Sequence, residues 1–306
     1  MEFKYFSHNG TLKPVEEAVI PLSNIEYQYG FGVYESIRVA GGTPRFLDDH
    51  LVRLQESARA IGLEHSFSNS SIYGIVQELI EKNAVETCNL KILLIGGPST
   101  SFNPFDGLRV APRNSRGDKT QDKSLGVNKT KEGATLYILC LNPVFPDKKL
   151  YRDGVKCITH NYERAFPHAK TLNMLGSYLA YRKAKHAGAY DALLINRDGY
   201  ITEGTRTNFF CIQGKTIISP REGDILPGVT RKMLMRAISG NGYTFKEGRV
   251  APSDVKDYDG AFLTSTSSKI LPIRMIDEIA LPVIPEVLRE LMILFDAFLA
   301  QEGKSS

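Results

Sequence analysis

The apolar residues change period several times along the first 150 positions, and each change predicts an element. Residues 17–25 (EAVIPLSNI) and 32–40 (GVYESIRVA) read as strands, and a Gly41-Gly42 turn leads into a third at 44–47 (PRFL). The period then lengthens. Leu51, Leu54, Ala58 and Ile61 recur at helical spacing behind Asp48, a candidate N-cap, until Gly62 ends the run. Ile72, Ile75, Val76, Leu79 and Ile80 predict a second helix after the Ser/Asn cluster at 68–71. LKILLIGG (90–97) and TLYILCL (135–141) have the length and apolar content of buried strands, while the 98–133 stretch between them has no period at all.

The second half reads in the same way. Strands are expected at 154–163, 190–196, 214–220 and 260–268, with a single long one at 201–213 (ITEGTRTNFFCIQ) after an Asp198-Gly199 turn. Helices are expected from about Asn173 to His186, from near Gly228, and from Pro285 onward. Strands linked by hairpins, without strict strand–helix alternation, predict an α/β fold of mixed sheets in two domains rather than a doubly wound parallel sheet. The proline- and charge-rich stretch 142–152 is the expected linker, between an N-terminal α/β domain at 1–141 and a larger C-terminal domain at 153–306.

Composition narrows the function. A chain of 306 residues, 42% apolar and 24% charged, can bury a large core, which excludes a disordered tail or a disulfide miniprotein. The net charge is +4, and the basic residues of 109–133 account for it, so this stretch reads as a solvated loop rather than a nucleic-acid face. Four cysteines with no C-x-x-C pair and six histidines with no H-x-x-x-H spacing predict buried thiols and no metal site. No apolar run approaches the roughly 18 to 20 residues that span a bilayer, and the N-terminus lacks a secretory apolar segment; a cytosolic chain with no membrane partner is expected.

Four segments place polar groups where packing does not need them. Lys170 stands just before a helix with Met174, Leu175, Tyr178 and Leu179 on its apolar stripe, a setting in which an amine can attack a carbonyl; the pattern alone favours a snorkelling surface lysine. Glu203 lies among β-branched and aromatic residues, where a buried carboxylate needs a cationic partner, or else it is turn-exposed beside Gly204. Gly228 and Thr230 open a helix whose free N–H groups suit a phosphate, or form an ordinary helix start. Thr264, Ser265, Thr266 and Ser267 end an apolar strand, either to bind an anion or to make a turn.

Taken in order, these segments resemble the class IV (fold type IV) pyridoxal-phosphate aminotransferases, which include branched-chain and D-amino-acid aminotransferases and aminodeoxychorismate lyase. The similarity runs from YQYGFGVYESIRV and DDHLVRLQESA to TSTSSKILPIRMID, with EGTRTNFF followed by LPGVTR as its signature; Ser219 stands where the family usually has threonine. The resemblance implies pyridoxal 5′-phosphate as cofactor, an amino acid and a 2-oxo acid as substrates, and a homodimer with shared active sites. It implies that Lys170 holds the cofactor aldehyde and moves the substrate proton, and that Glu203 faces the ring nitrogen. Arg53, Val229, Thr230 and Thr266 would hold the phosphate, although the helical pattern alone turns Arg53 toward solvent.

By the same resemblance Tyr29, Tyr34, Lys91, Thr266 and Ser267 line the substrate pocket. Leu175 stands where branched-chain enzymes usually carry a tyrosine, and KTLNMLGSYLA is closer to the D-amino-acid and lyase branches. YESIRV and LPIRMID are closer to the branched-chain type. The expected reaction moves the amino group of an apolar amino acid to 2-oxoglutarate; D-amino-acid transamination and aminodeoxychorismate lysis are the alternatives on the same fold. An anion-binding protein that uses the basic loop is the alternative from another class.

Overall fold

The computed structural model describes residues 2–20, 25–96, 133–281 and 283–302. Its elements in chain order are β1 (Tyr5–His8), β2 (Thr11–Pro14), α1 (Ile25–Tyr29), β3 (Gly32–Ala40), β4 (Thr43–Pro44), α2 (Leu47–Ala60), α3 (Asn69–Lys82), β5 (Thr87–Ile95) and β6 (Thr135–Leu141). There follow α4 (Lys148–Asp153), β7 (Val155–Asn161), α5 (Leu175–His186), β8 (Asp191–Ile195), β9 (Ile201–Gly204), β10 (Asn208–Gln213), β11 (Thr216–Ser219) and α6 (Val229–Ile238). The last are β12 (Thr244–Glu247), β13 (Gly260–Ser265), β14 (Lys269–Ile276), β15 (Ile279–Ala280) and α7 (Glu286–Glu302).

Two sheets organise the chain. The first is antiparallel, in the order β2-β1-β6-β5-β3-β4. Alternation along β3 and β5 turns Val33, Ile37, Val39, Leu90, Ile92 and Leu94 toward α2 and α3, where they form one core. The opposite face therefore carries Tyr34, Ser36, Arg38, Asn89 and Lys91, and it looks into a cleft. The second sheet runs β12-β11-β10-β13-β14-β7-β8-β9, and β9 pairs back onto β10, so six of its strands close into a ring. Val155, Leu193, Phe209, Leu263 and Leu271 fill the inside of the ring, while α6 and α7 cover the outer side through Met233, Leu234, Leu288 and Phe295.

The differences from expectation have local causes. Residues 17–20 are not a strand: Val15–Glu17 form a 3-10 turn and Val19 and Ile20 are exposed, with α1 following the undescribed residues 21–24. The hairpin is instead β1–β2, turned by Asn9 and Gly10, both at positive φ. Phe46, not Asp48, precedes α2, in left-handed conformation; Asp48 and Asp49 then sit in the first turn, where the helix dipole favours them. In α3, Ser68 caps by accepting a hydrogen bond from the Ser71 amide. The single strand expected at 201–213 is two, β9 and β10, separated by a turn at 205–207. Within the expected linker lies α4, and residues 98–132 of the aperiodic stretch lie outside the described residues.

All four cysteines are buried and free. Among the described residues no helix is long and apolar enough to cross a membrane, and no cluster of His, Cys, Asp and Glu could hold a metal.

Candidate active site

The cleft between the sheets is a cavity of about 590 Å³. Lys170, Arg53, Glu203, Val229, Thr230, Thr266, Ser267, Tyr34 and Lys91 all line it. Tyr29 does not: it ends α1 and is 64% exposed.

Backbone pairing fixes the lysine. The Tyr34 amide donates to the Lys170 carbonyl at 2.9 Å, the Leu172 amide to the Gly32 carbonyl at 2.8 Å, and the Lys170 amide to Ser57 Oγ at 3.0 Å. The segment thus continues the edge of β3 across the cleft. Gly32 is required there, because a Cβ would stand 2.7 Å from the Leu94 carbonyl oxygen and 2.8 Å from Leu172 Cδ1. The Lys170 amine hangs over the Tyr34 ring, 4.6 Å from its centroid, and the Lys91 amine lies 4.7 Å from the same centroid. Burial alone would raise the Tyr34 phenol, but the two ammonium groups outweigh it and hold the phenol below its ordinary value. The hydroxyl points at Met174 Sδ, 3.9 Å away. Leu175 is 66% exposed and is not part of the cavity wall.

Glu203 is buried at the end of β9. Its Oε1 accepts from Arg164 Nη1 at 2.9 Å and its Oε2 from the Leu226 amide at 3.1 Å. Arg164 also donates to the Pro167 and Ala169 carbonyls, so one guanidinium ties the carboxylate to the segment that leads into Lys170. Pattern reading misses Arg164, which sits in a proline-containing loop with no period. Asp191 is missed as well. Its buried carboxylate accepts from the amides of Ala192 and Thr205 and from the hydroxyls of Thr205 and Thr207, holding the turn between Glu203 and Asn208. Burial raises its pKa, outweighing these hydrogen bonds and the nearby Arg206 charge.

The anion cradle is built at the start of α6. No side chain caps this helix, so its first N–H groups are free to bind an anion at the Val229–Thr230 wall of the cavity. Gly228 lets the helix approach β10: a Cβ here would fall 2.0 Å from Asn208 Oδ1, while Asn208 Nδ2 donates to the Leu226 carbonyl at 2.9 Å. Arg53 is buried rather than solvent-facing, which corrects the reading from helical pattern. Its guanidinium meets Glu35 and donates to the Pro227 carbonyl at 3.1 Å. Glu35 also accepts a 2.7 Å hydrogen bond from His50 Nδ1. Burial opposes the Glu35 charge, but Arg53 and then His50 outweigh it and hold the carboxyl well below its usual range.

These features fit a phosphorylated pyridine aldehyde. A primary amine enters the cavity, an arginine-held carboxylate waits for a protonated ring nitrogen, and uncapped amides suit the phosphate. The Thr264 hydroxyl is buried on the cavity wall with no protein partner. A two-sheet fold with this cleft suits a pyridoxal-phosphate-dependent transferase. The model of the amino-transferase class IV family matches residues 32–276, and the chain belongs to that family.

Relatives by sequence carry two different names. The D-alanine aminotransferase of Bacillus licheniformis is 30% identical over 271 residues, 88% of this chain and 87% of that protein. A Rickettsia felis protein named "probable branched-chain-amino-acid aminotransferase" is 25% identical over 275 residues, 88% of this chain and 86% of its own length. By structure, a branched-chain amino acid aminotransferase of T.th., solved with pyridoxamine 5′-phosphate, superposes with a TM-score of 0.79 at 24% identity, covering 98% of this chain and 95% of that one. It shares the fold. The enzyme is therefore a class IV aminotransferase that uses pyridoxal phosphate and acts on amino acids and 2-oxo acids.

Proposed function

We propose that the enzyme moves the amino group of an apolar, branched-chain-like amino acid to 2-oxoglutarate, with Lys170 as the catalytic amine. One observation carries this reading: the cavity has an apolar lip and a cationic wall. Leu141, Val144, Phe145 and Met174 suit an aliphatic side chain. Lys91 and Arg38 line the sheet face of the same cavity, and neither makes an ion pair with a carboxylate among the described residues. A second carboxylate, as in 2-oxoglutarate, would answer that charge.

When bound, pyridoxal phosphate supplies an aldehyde to which amines condense and a ring that draws charge from the substrate carbon. Lys170 would take the proton from the substrate Cα and return it one carbon away, and its reach is set by the pairing to β3. Glu203, held in place by Arg164 and the Leu226 amide, would accept a hydrogen bond from the ring nitrogen and favour its protonated form. Arg53 and the first amides of α6 would hold the phosphate. Thr266 and Ser267 receive the α-carboxylate.

The enzyme is proposed to work as a homodimer. Leu175, Tyr178, Leu179 and Phe166 leave an exposed apolar face beside the lysine segment, and Tyr29 joins that side through the approach of Gly30 to Leu172. From there Tyr29 would reach the cavity of a second copy rather than its own. Sedimentation tests this: a dimer is expected, shifting toward monomer in Leu175→Glu/Leu179→Glu.

The 30% identity to a D-alanine aminotransferase favours a second reading, a D-amino acid as donor. A half-reaction screen separates the two. L-leucine and L-glutamate should convert the coloured enzyme to its amine form, whereas conversion by D-alanine alone would replace the first reading with the second.

A further inference from the structure

A second cavity, of about 220 Å³, adjoins the start of α6. It shares Arg38, Val229, Thr230, Ser265 and Thr266 with the first, but its remaining walls, Arg45 among them, come from elsewhere. Phe46, Met233, Phe295 and Leu299 make it apolar. Cations stand at its edge. Lys269 is neutralised by Asp296 at 2.6 Å, whereas Arg38 and Arg45 make no ion pair among the described residues. The Arg38 guanidinium instead stacks 4.5 Å from the Phe145 ring centroid. Arg45 Nη1 is buried with no hydrogen-bond partner. A buried guanidinium nitrogen without an acceptor costs free energy, and an acceptor entering the cavity would recover it.

We propose that this cavity binds a small organic anion with an apolar body, an aliphatic or aryl carboxylate, at a site separate from the reaction cavity. The carboxylate accepts from the Arg45 guanidinium, whose planar fork matches it, and the apolar body lies against Phe46, Met233 and Phe295. At about 220 Å³ the space is smaller than the roughly 300 Å³ at which drug-sized pockets begin, so the ligand has a single ring or a short chain.

The test uses 4-fluorophenylacetate and the cofactor-loaded enzyme, followed by fluorine NMR and calorimetry. The wild type should bind the probe. Arg45→Met and Leu299→Trp should each weaken that binding at least tenfold, Arg45→Lys should retain most of it, and Lys91→Met should leave it unchanged. The half-reaction rate with an amino donor should stay within about twofold in Arg45→Met, since Arg45 does not line the reaction cavity. The proposal is overturned by no binding to the wild type, by binding indifferent to both Arg45→Met and Leu299→Trp, or by binding lost in Lys91→Met. None of these outcomes touches the assignment of Lys170.

Discussion

Arg53 and Glu35 meet through two parallel hydrogen bonds of 2.7 Å, Nε to Oε1 and Nη2 to Oε2, with the carboxylate fully buried. The pair spans α2 and β3 and holds the guanidinium at the cavity wall before any phosphate arrives. Glu35→Gln should leave Arg53 with an uncompensated buried charge, costing about 3–5 kcal/mol of unfolding free energy. Pyridoxal phosphate affinity should fall with it. Urea unfolding with and without cofactor measures both.

The same cluster sets an acid limit. Burial holds His50 below its ordinary 6.5, so below that pH the unfolded chain binds a proton that the folded chain refuses, and stability falls as pH drops through 6.5. Glu35 is also held below its ordinary 4.5; its contribution is complete above that value and declines as pH falls further. Urea midpoints should therefore drop between pH 7 and 5, and again below about 4.5. His50→Gln should reduce the first decline, to which His8, His65 and His160 also contribute, and leave the second.

The Arg164–Glu203 pair makes a prediction about chemistry. Glu203→Gln should lower kcat by about 10²-fold or more, because an amide cannot keep the ring nitrogen cationic. Arg164→Met should lower it too, and should also loosen the Lys170 segment through the lost bonds to Pro167 and Ala169. Single-turnover rates with one amino donor distinguish the two: Arg164→Met is expected to lose cofactor affinity as well as rate, Glu203→Gln mainly rate.

The proposed acceptor is tested at the sheet face. Lys91→Met should raise KM for 2-oxoglutarate about tenfold or more and leave KM for 4-methyl-2-oxopentanoate within about twofold. Equal changes for both acceptors would remove Lys91 from specificity.

At the cradle, Gly228→Ala drives a Cβ to within 2.0 Å of Asn208 Oδ1, so either the asparagine or the start of α6 must move. Cofactor affinity should fall at least tenfold while the circular dichroism spectrum holds, which equilibrium dialysis with pyridoxal phosphate measures.

Much of the layout was legible because it is local. Alternation in GVYESIRVA and the helical recurrence of Leu51, Leu54 and Ala58 are properties of single segments, and β3 and α2 follow them. The buried salt bridge had a signal that went unread: Glu35 falls in phase with Val33, Ile37 and Val39 on the core side of its strand. A carboxylate there demands a cation, and Arg53 on the facing helix supplies it. Arg164 and Asp191 had no such signal, since their roles arise only when β8, β9 and the loop before Lys170 come together. The split of 201–213 was hidden for the same reason. Its turn is held by Asp191 from another strand, which no local propensity records.

Covalent mapping of the cofactor decides the rest. Enzyme loaded with pyridoxal phosphate, reduced with borohydride and digested, should carry the pyridoxyl group on the peptide containing Lys170, and Lys170→Ala should lose both the label and the visible absorption band. A label on Lys91 or Lys185, or no label on a protein that binds the cofactor, would contradict the assignment of Lys170 as the reacting amine.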